Sequence, residues 1–135
     1  MADIRIVKEW LVEADEDFNF ASINLEERDR FFARICFHFQ QAAEKYLKAY
    51  IVAYDLSFKK IHDLTKLLKI CQQKDNAFKI LSQDTQFLTD FYVDTRYPAV
   101  WPVGRTKKEA ERAKEAALRV GDFVREKIGG KSGKI

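Results

Sequence analysis

Apolar residues recur at helical spacing along most of the chain, most clearly between Phe31 and Tyr54, a stretch without Gly or Pro. Because an α-helix turns once in about 3.6 residues, positions three and four apart share a face. The apolar face of this stretch comprises Phe32, Ile35, Cys36, Phe39, Ala42, Ala43, Tyr46, Leu47 and Tyr50. So broad a face predicts a central helix that packs against several neighbours.

An earlier helix is predicted from its N-cap, Asp3, to about Leu25. Its apolar side follows a seven-residue repeat made of Val7, Trp10, Leu11, Ala14, Phe18, Ala21 and Leu25. The opposite side is predicted to carry Glu9, Glu13, Glu16 and Asp17. A short charged segment, residues 24–30, precedes the central helix and supplies Asp29 as its N-cap. Such a short connection predicts an antiparallel helical hairpin.

The pattern of apolar residues and caps predicts three further helices. Asp63 is the predicted N-cap of a third helix that buries Leu64, Leu67, Leu68 and Cys71, and a fourth runs from about Ala77 to Val93. Thr106 and Glu109 have the spacing of a capping box for a last helix that ends near Ile128. Its inner face is predicted to contain Ala110, Ala113, Ala117, Val120 and Val124. The sequence therefore predicts an all-α, single-domain, up-and-down bundle of about five helices over residues 1–128, with a flexible tail at 129–135.

Composition supports this picture without identifying a function. The 135 residues are 47% hydrophobic and 33% charged, with a net charge of +3, which permits nucleotide or nucleic-acid binding without arguing for it. Cys36 and Cys71 lie on apolar faces and are interpreted as core residues in a reducing compartment. No apolar run reaches the roughly 20 residues that span a membrane, and no signal peptide precedes the first helix. We therefore expect a cytoplasmic protein with no membrane association, no metal and no cofactor.

A polar stripe runs beside the apolar face of the central helix. It consists of Arg34, His38, Gln41, Lys45 and Lys48, again spaced by threes and fours. These side chains could converge on a phosphate. Alternatively, the basic side chains cover the rim of the core with their charges in water, and His38 is a hydrogen-bonded histidine at a helix interface.

The segment 95–104 contains both prolines of the chain and is predicted to be a loop. Arg96 and Tyr97, with Trp101, form a set suited to gripping a planar base or a phosphate. A cation at the end of a helix also complements the helix dipole, which would explain Arg96 structurally. The pair His62-Asp63 matches part of a phosphohydrolase metal site, but the other ligands are missing, and N-capping by Asp63 explains it better.

Four segments together resemble the HEPN domain family (higher eukaryotes and prokaryotes nucleotide-binding). The central one is Ile35–Ala49, ICFHFQQAAEKYLKA, which is similar to the signature helix of that family. The others, in order, are Trp10-Leu11 with Ala14, Asp15 and Asp17, then His62-Asp63-Leu64, then Arg96-Tyr97-Pro98.

The resemblance implies a five-helix bundle, usually a homodimer, that often works beside a separately encoded minimal nucleotidyltransferase in toxin–antitoxin or stress-defence systems. Many members are metal-independent ribonucleases with the motif Arg, four to six residues, His. In this chain no histidine follows Arg96. Arg34 is too close to His38 for the motif, and Arg30 is too far from it.

This departure favours the non-catalytic branch of the family, with no catalytic residue assigned. We expect a homodimer that binds a nucleotide or a nucleotidyltransferase partner, with RNA as the less favoured ligand. The candidate binding residues are Arg96, Tyr97, Lys45, Lys48, His38 and Gln41. The alternatives are a divergent ribonuclease that brings Arg96 and His38 together in space, and a structural subunit that binds no ligand.

Overall fold

The computed structural model of the chain describes residues 3–58, 60–93 and 104–132, with side chains described as far as residue 129. Its α-helices are α1 (Ile4–Glu27), α2 (Phe32–Ala53), α3 (Leu64–Lys74), α4 (Ser82–Thr89) and α5 (Lys107–Ser132). A 3-10 helix, Asn76–Leu81, leads directly into α4. The described ranges contain no β-strand, which confirms the predicted all-α bundle.

Side-chain caps fix three of the helix starts where the sequence predicted them. Oδ1 of Asp3 accepts a hydrogen bond of 2.9 Å from the amide of Arg5, and Oδ1 of Asp63 accepts one of 2.9 Å from the amide of Thr65. Thr106 and Glu109 bond each other's backbone amides at 3.0 and 3.1 Å, which is the reciprocal pattern of a capping box. These three predictions are confirmed.

The prediction that Asp29 is the N-cap of α2 is wrong. The residue that precedes α2 is Phe31, which adopts a left-handed conformation with φ 66° and provides no side-chain cap. The Arg30 guanidinium lies 4.4 Å from the centre of the Phe31 ring. Because α2 begins at Phe32, Asp29 lies two residues before the cap position, which Phe31 occupies.

The prediction of one continuous helix from Ala77 to Val93 is also wrong. The first turns are 3-10, in which residues three apart are eclipsed, so Phe78 and Leu81 both point into the core. The Phe78 ring packs against Tyr50 and Phe123, with centroids 4.4 and 4.9 Å away. Ile80, an apolar residue of the same segment, is 74% exposed.

The helix α2 is the centre of the bundle and packs against α1, α3, α4 and α5. Glu13 of α1 contacts Lys45 of α2, and Phe18, later in α1, contacts Phe39, earlier in α2. The two helices are therefore antiparallel, as predicted. Contacts between α2 and α5 advance together, from Tyr46–Gly121 to Tyr54–Lys127, so α5 runs in the same direction as α2. The predicted inner face of α5 is fully buried.

The three long helices meet at Tyr46. A Cβ atom at Gly121 of α5 would lie only 2.8 Å from Cε2 of the Tyr46 ring, so this close approach requires glycine. The Tyr46 hydroxyl donates to Asp15, which also receives two hydrogen bonds from Arg125. Burial opposes ionisation of Asp15, but the hydrogen bonds outweigh it and lower its pKa.

Both cysteines are core residues, as predicted. Cys36 and Cys71 are fully buried and unbridged. Burial raises the pKa of each thiol to about 12, which keeps both in the unreactive protonated form.

The last helix continues to Ser132, past the predicted end near Ile128. The flexibility of residues 129–135 stays a prediction. Within the described ranges, no helix is long and apolar enough to cross a bilayer.

Candidate functional site

Two clusters of charged side chains lie along α2, and each is organised by one carboxylate. The first, the Asp17 cluster, consists of Asp17, His38 and Lys45. Oδ1 of Asp17 lies 2.9 Å from Nδ1 of His38, and Oδ2 accepts a hydrogen bond of 2.6 Å from Nζ of Lys45. Glu13 lies 3.6 Å from the same ammonium. This cluster therefore joins α1 to α2.

Asp17 was predicted to lie on the side of α1 opposite the apolar seam, and this is wrong. Its side chain is only 15% exposed. Burial alone would raise the pKa of Asp17, but hydrogen bonds from His38 and Lys45 outweigh that effect and lower the pKa. An ionised carboxylate can only accept hydrogen bonds, so Nδ1 of His38 carries the proton in this contact.

The second set of side chains, the Glu44 cluster, consists of Glu44, Lys48 and His62. Oε2 of Glu44 accepts a hydrogen bond of 2.9 Å from Nζ of Lys48 and lies 3.1 Å from Nδ1 of His62. The side chains of Glu44 and Lys48 are 4% and 8% exposed, whereas that of His62 is 46% exposed. The ion pair is thus interior, while the imidazole reaches the surface.

Two glutamines complete the polar surroundings of Glu44. The side-chain amide of Gln40 is fully buried and donates to Oε1 of Glu44 and to the backbone carbonyl of His62, each at 3.4 Å. Gln41 donates to Oε1 of Gln40 at 2.8 Å. These contacts connect the middle of α2 to the segment that precedes α3.

Aromatic rings enclose Lys48 on its other side. Its ammonium lies 5.6 Å from the centre of the Trp10 ring and 5.5 Å from that of Phe58, and these two rings contact each other edge to face. Cations over aromatic faces are stabilised by the ring quadrupole, more so when they are desolvated. Lys48 is therefore compensated by a carboxylate and two rings.

A continuous series of ring contacts links the two histidines. Phe20 contacts His38 at 4.7 Å between centroids, His38 contacts Phe37 at 5.4 Å, and Phe37 contacts Tyr92 at 6.5 Å. Tyr92 stacks on His62 at 4.8 Å with an interplanar angle of 15°. The two imidazoles thus belong to one edge of the molecule, close to the point where the described chain leaves α4.

The predicted candidates divide into three groups. Arg96 and Tyr97 lie outside the described residues. His38 and Gln41 belong to the edge just described, and His38 is partly exposed. Lys45 and Lys48, predicted to form a basic rim, are each bound to a carboxylate, and Lys48 is buried rather than on a rim. The three carboxylates around them, including Glu13, outnumber the two ammonium groups, so they do not form a surplus of positive charge.

Sequence reasoning missed Asp17, Glu44 and His62 as parts of this edge. A local signal existed for two of them. Asp17 follows the buried Ala14 by three residues and precedes the buried Ala21 by four, which places it beside the seam. Glu44 precedes Lys48 by four residues, the spacing of an ion pair along a helix. For His62 no periodic signal exists, because it reaches α2 from a separate segment.

This edge can position imidazoles and accept hydrogen bonds. A carboxylate at Nδ1 fixes the ring orientation and leaves Nε2 as the nitrogen for contact with a ligand. In the neutral ring Nε2 accepts a hydrogen bond or a proton, and in the imidazolium it donates a hydrogen bond to a phosphate oxygen. Among the described residues, no group of three or more His, Cys, Asp or Glu side chains is arranged to hold a metal ion.

Comparisons with known proteins agree with this architecture. The family model described as HEPN domain matches residues 7–127. The structure of TT1696 from Thermus thermophilus is similar, with 31% sequence identity and a TM-score of 0.76 over 90% of this chain and 97% of that one. ST0689, an archaeal HEPN homologue, covers the same shares at 24% identity with a TM-score of 0.69, a likeness of fold. No curated protein matches the sequence.

Proposed function

Because the chain belongs to the HEPN domain family, we propose that it is a non-catalytic module that binds a nucleotide. In this proposal it acts as a homodimer, with a minimal nucleotidyltransferase as its partner, in a toxin–antitoxin or stress-response system. The proposal is supported by the family and by the edge that carries His38 and His62.

One observation carries the proposal: two imidazoles, each held at Nδ1 by a carboxylate, lie on one edge and are joined by ring contacts. Fixed imidazoles and aromatic faces are the groups that recognise phosphates and bases. Rings whose orientation is already set lose little conformational freedom when a ligand binds. The edge is therefore suited to a ligand with both an anionic and a planar part.

The candidate residues then take different roles. His38 and Gln41 contact the ligand, and Arg96 and Tyr97 contribute a phosphate or base contact from the segment that follows Val93. Lys45 acts mainly by holding Asp17, because its ammonium already has a carboxylate 2.6 Å away. Lys48 acts only through Glu44.

Calorimetric titration of the purified protein with nucleoside mono-, di- and triphosphates tests the proposal. The titration is done with the protein alone and with the nucleotidyltransferase encoded beside it, if the neighbouring gene encodes one. We expect the double variant Arg96→Ala/His38→Ala to weaken nucleotide binding strongly, because both of its proposed phosphate contacts are removed, while helicity measured by circular dichroism is unchanged.

The matched control is Lys69→Ala, which removes an exposed cation from α3 and should leave affinity unchanged. If neither the native protein nor its complex binds any nucleotide, the proposal is wrong.

A second candidate function, metal-independent RNA cleavage, is favoured by the contact between Asp17 and His38. A carboxylate that accepts a hydrogen bond from Nδ1 of an imidazole fixes the tautomer and orients Nε2 towards a substrate, as in general acid–base catalysis. Incubation of the purified protein with labelled RNA in EDTA decides between the two functions. Cleavage that is lost in His38→Ala but retained in the Lys69→Ala control would establish the ribonuclease and overturn the non-catalytic assignment.

A further inference from the structure

We propose that the exposed face of His62 is the subsite for the base of the nucleotide, and that Glu44 is the residue that positions it. This inference rests on the proposed function and assigns the base and the phosphate of the nucleotide to different places on the edge. The base stacks at His62, and the phosphate is recognised at the other end of the edge, near His38. The chemical class of ligand for this subsite is a neutral heterocyclic ring.

The first observation is the stacked pair of rings. His62 and Tyr92 are nearly parallel, at 15° with centroids 4.8 Å apart, so Tyr92 covers one face of the imidazole. The His62 side chain is nevertheless 46% exposed. Since one face is covered and Nδ1 is engaged by Glu44, the exposed surface belongs to the opposite face and the edge that carries Nε2. A planar ring bound on that surface would extend the stack of Tyr92 and His62 by one more ring.

The second observation is the way in which His62 is held. Its Nδ1 lies 3.1 Å from a Glu44 carboxylate that is itself buried, and its backbone carbonyl accepts a hydrogen bond from the buried Gln40 amide. An exposed histidine normally samples several rotamers, whereas this one is fixed at both the ring and the backbone. Its plane is therefore oriented before a ligand arrives.

The third observation is the local charge. The carboxylate of Glu44 is balanced by Lys48, and Lys48 is enclosed by Trp10 and Phe58. The pair thus supplies no net positive charge to attract a phosphate to His62. A neutral planar ring gains stacking there without requiring a cation. The Asp17 cluster has no surplus of positive charge either, so charge does not distinguish the two ends of the edge. The base is assigned to His62 because the imidazole there forms a parallel stack, whereas the ring contacts of His38 are edge to face.

Separate titrations with adenosine, which lacks phosphate, and with AMP test the division. Loss of one stacking contact weakens binding of a base by roughly ten- to a hundredfold. We expect His62→Ala to weaken binding of adenosine and AMP to that extent, and His62→Phe, which keeps a planar ring but loses the contact with Glu44, to restore part of the affinity. His38→Ala should weaken AMP while leaving adenosine unchanged.

Glu44→Gln tests the positioning role. It keeps the shape of the side chain but removes the charge that orders the ring, so the fixed orientation of His62 should be lost. Nitrogen-15 NMR of the free protein would then show a changed ratio of the two His62 tautomers, with the His38 signals unchanged. Asp17→Asn is the matched variant. It should change the ratio of the two His38 tautomers and leave the His62 signals unchanged. Unchanged His62 signals in folded Glu44→Gln would overturn the positioning role.

If Glu44→Gln does not fold, the positioning role is tested in the native protein by the exchange rate of the His62 Nδ1 proton, which the contact with Glu44 should slow. A rate equal to that of a free imidazole would contradict it. For the subsite itself, equal affinities of native protein and His62→Ala for AMP would overturn the inference while leaving the proposed function intact. Absence of binding by any nucleotide would instead defeat the proposed function.

Discussion

The Asp17 and Glu44 clusters use the same three groups in different surroundings. In both, one carboxylate holds the Nδ1 of a histidine and the Nζ of a lysine. The Asp17 cluster connects two helices, and its lysine remains 23% exposed. The Glu44 cluster places carboxylate and lysine on one helix in the interior, and only its histidine is exposed.

This difference separates stability from ligand contact. An exposed lysine can exchange its carboxylate for water, so a partly exposed ion pair stabilises the fold weakly. A buried lysine has no such alternative, and removal of its partner leaves an uncompensated charge in the interior. The Glu44 pair is therefore the more sensitive part of the fold, while the two histidines are the parts available to a ligand.

The largest effect is expected from Glu44→Leu. The buried ammonium of Lys48 would lose its carboxylate, which costs about 3–5 kcal/mol of unfolding free energy. Urea denaturation followed by circular dichroism measures this. The double variant Glu44→Leu/Lys48→Met removes both charges and should recover most of the loss. A loss below about 1 kcal/mol in the single variant would show that Lys48 reaches water.

A smaller loss, of about 1–2 kcal/mol at neutral pH, is expected from Asp17→Asn, since His38 and Lys45 lose a charged acceptor but both can be hydrated. The same denaturation experiment measures it. If Asp17→Asn destabilised the protein as much as Glu44→Leu, the contrast between the clusters would disappear.

The pH dependence of stability should report Asp17 directly. Its pKa in the folded protein is lower than the ordinary value of 3.8, so the stabilisation by Asp17 is complete above that value and is lost as pH falls through the folded-state pKa. The stability difference between native protein and Asp17→Asn should therefore shrink as the solution is acidified below about pH 4. Asp15, whose pKa is also lowered, remains in both proteins and cancels in the comparison. A difference that stayed constant into acid would contradict the assignment.

The smallest effect is expected from Lys45→Met. This variant keeps the apolar stem that covers the surface and removes only a partly exposed ammonium, so the loss should be below about 1 kcal/mol. Lys48→Met alone leaves Glu44 buried without its ammonium and should cost several times more. Equal losses in the two variants, measured by thermal unfolding, would show that exposure does not distinguish the lysines.

Local signals in the sequence were sufficient for most of the fold. The N-caps Asp3 and Asp63 were predictable because a cap requires only a polar side chain next to an apolar period. The prediction for Asp29 failed because α2 begins at Phe32, which places Phe31 rather than Asp29 at the cap position. The 3-10 turn after Asp75 was missed because its apolar residues at Phe78 and Leu81 are three apart, a spacing that an α-helix shares.

The candidate site was predictable only in part, for a related reason. The stripe on α2 was recognised from periodicity, and it does contain the lysines and one histidine of the two clusters. What it could not indicate is which charges are already paired, since Asp17 comes from α1 and His62 from the segment before α3. The predicted basic rim became two neutralised lysines, because Asp17 of α1 binds Lys45 and Glu44, on the same helix, binds Lys48.

The most direct test of whether the two imidazoles contact a nucleotide uses the fact that the chain contains only two histidines. Titration of protein with histidine rings labelled by nitrogen-15 should follow both imidazoles as AMP is added. We expect saturable shifts of the His38 and His62 signals with one common dissociation constant for AMP. With adenosine in place of AMP, only the His62 signals should shift. Signals of both rings that stay unchanged at saturating AMP would contradict these expectations.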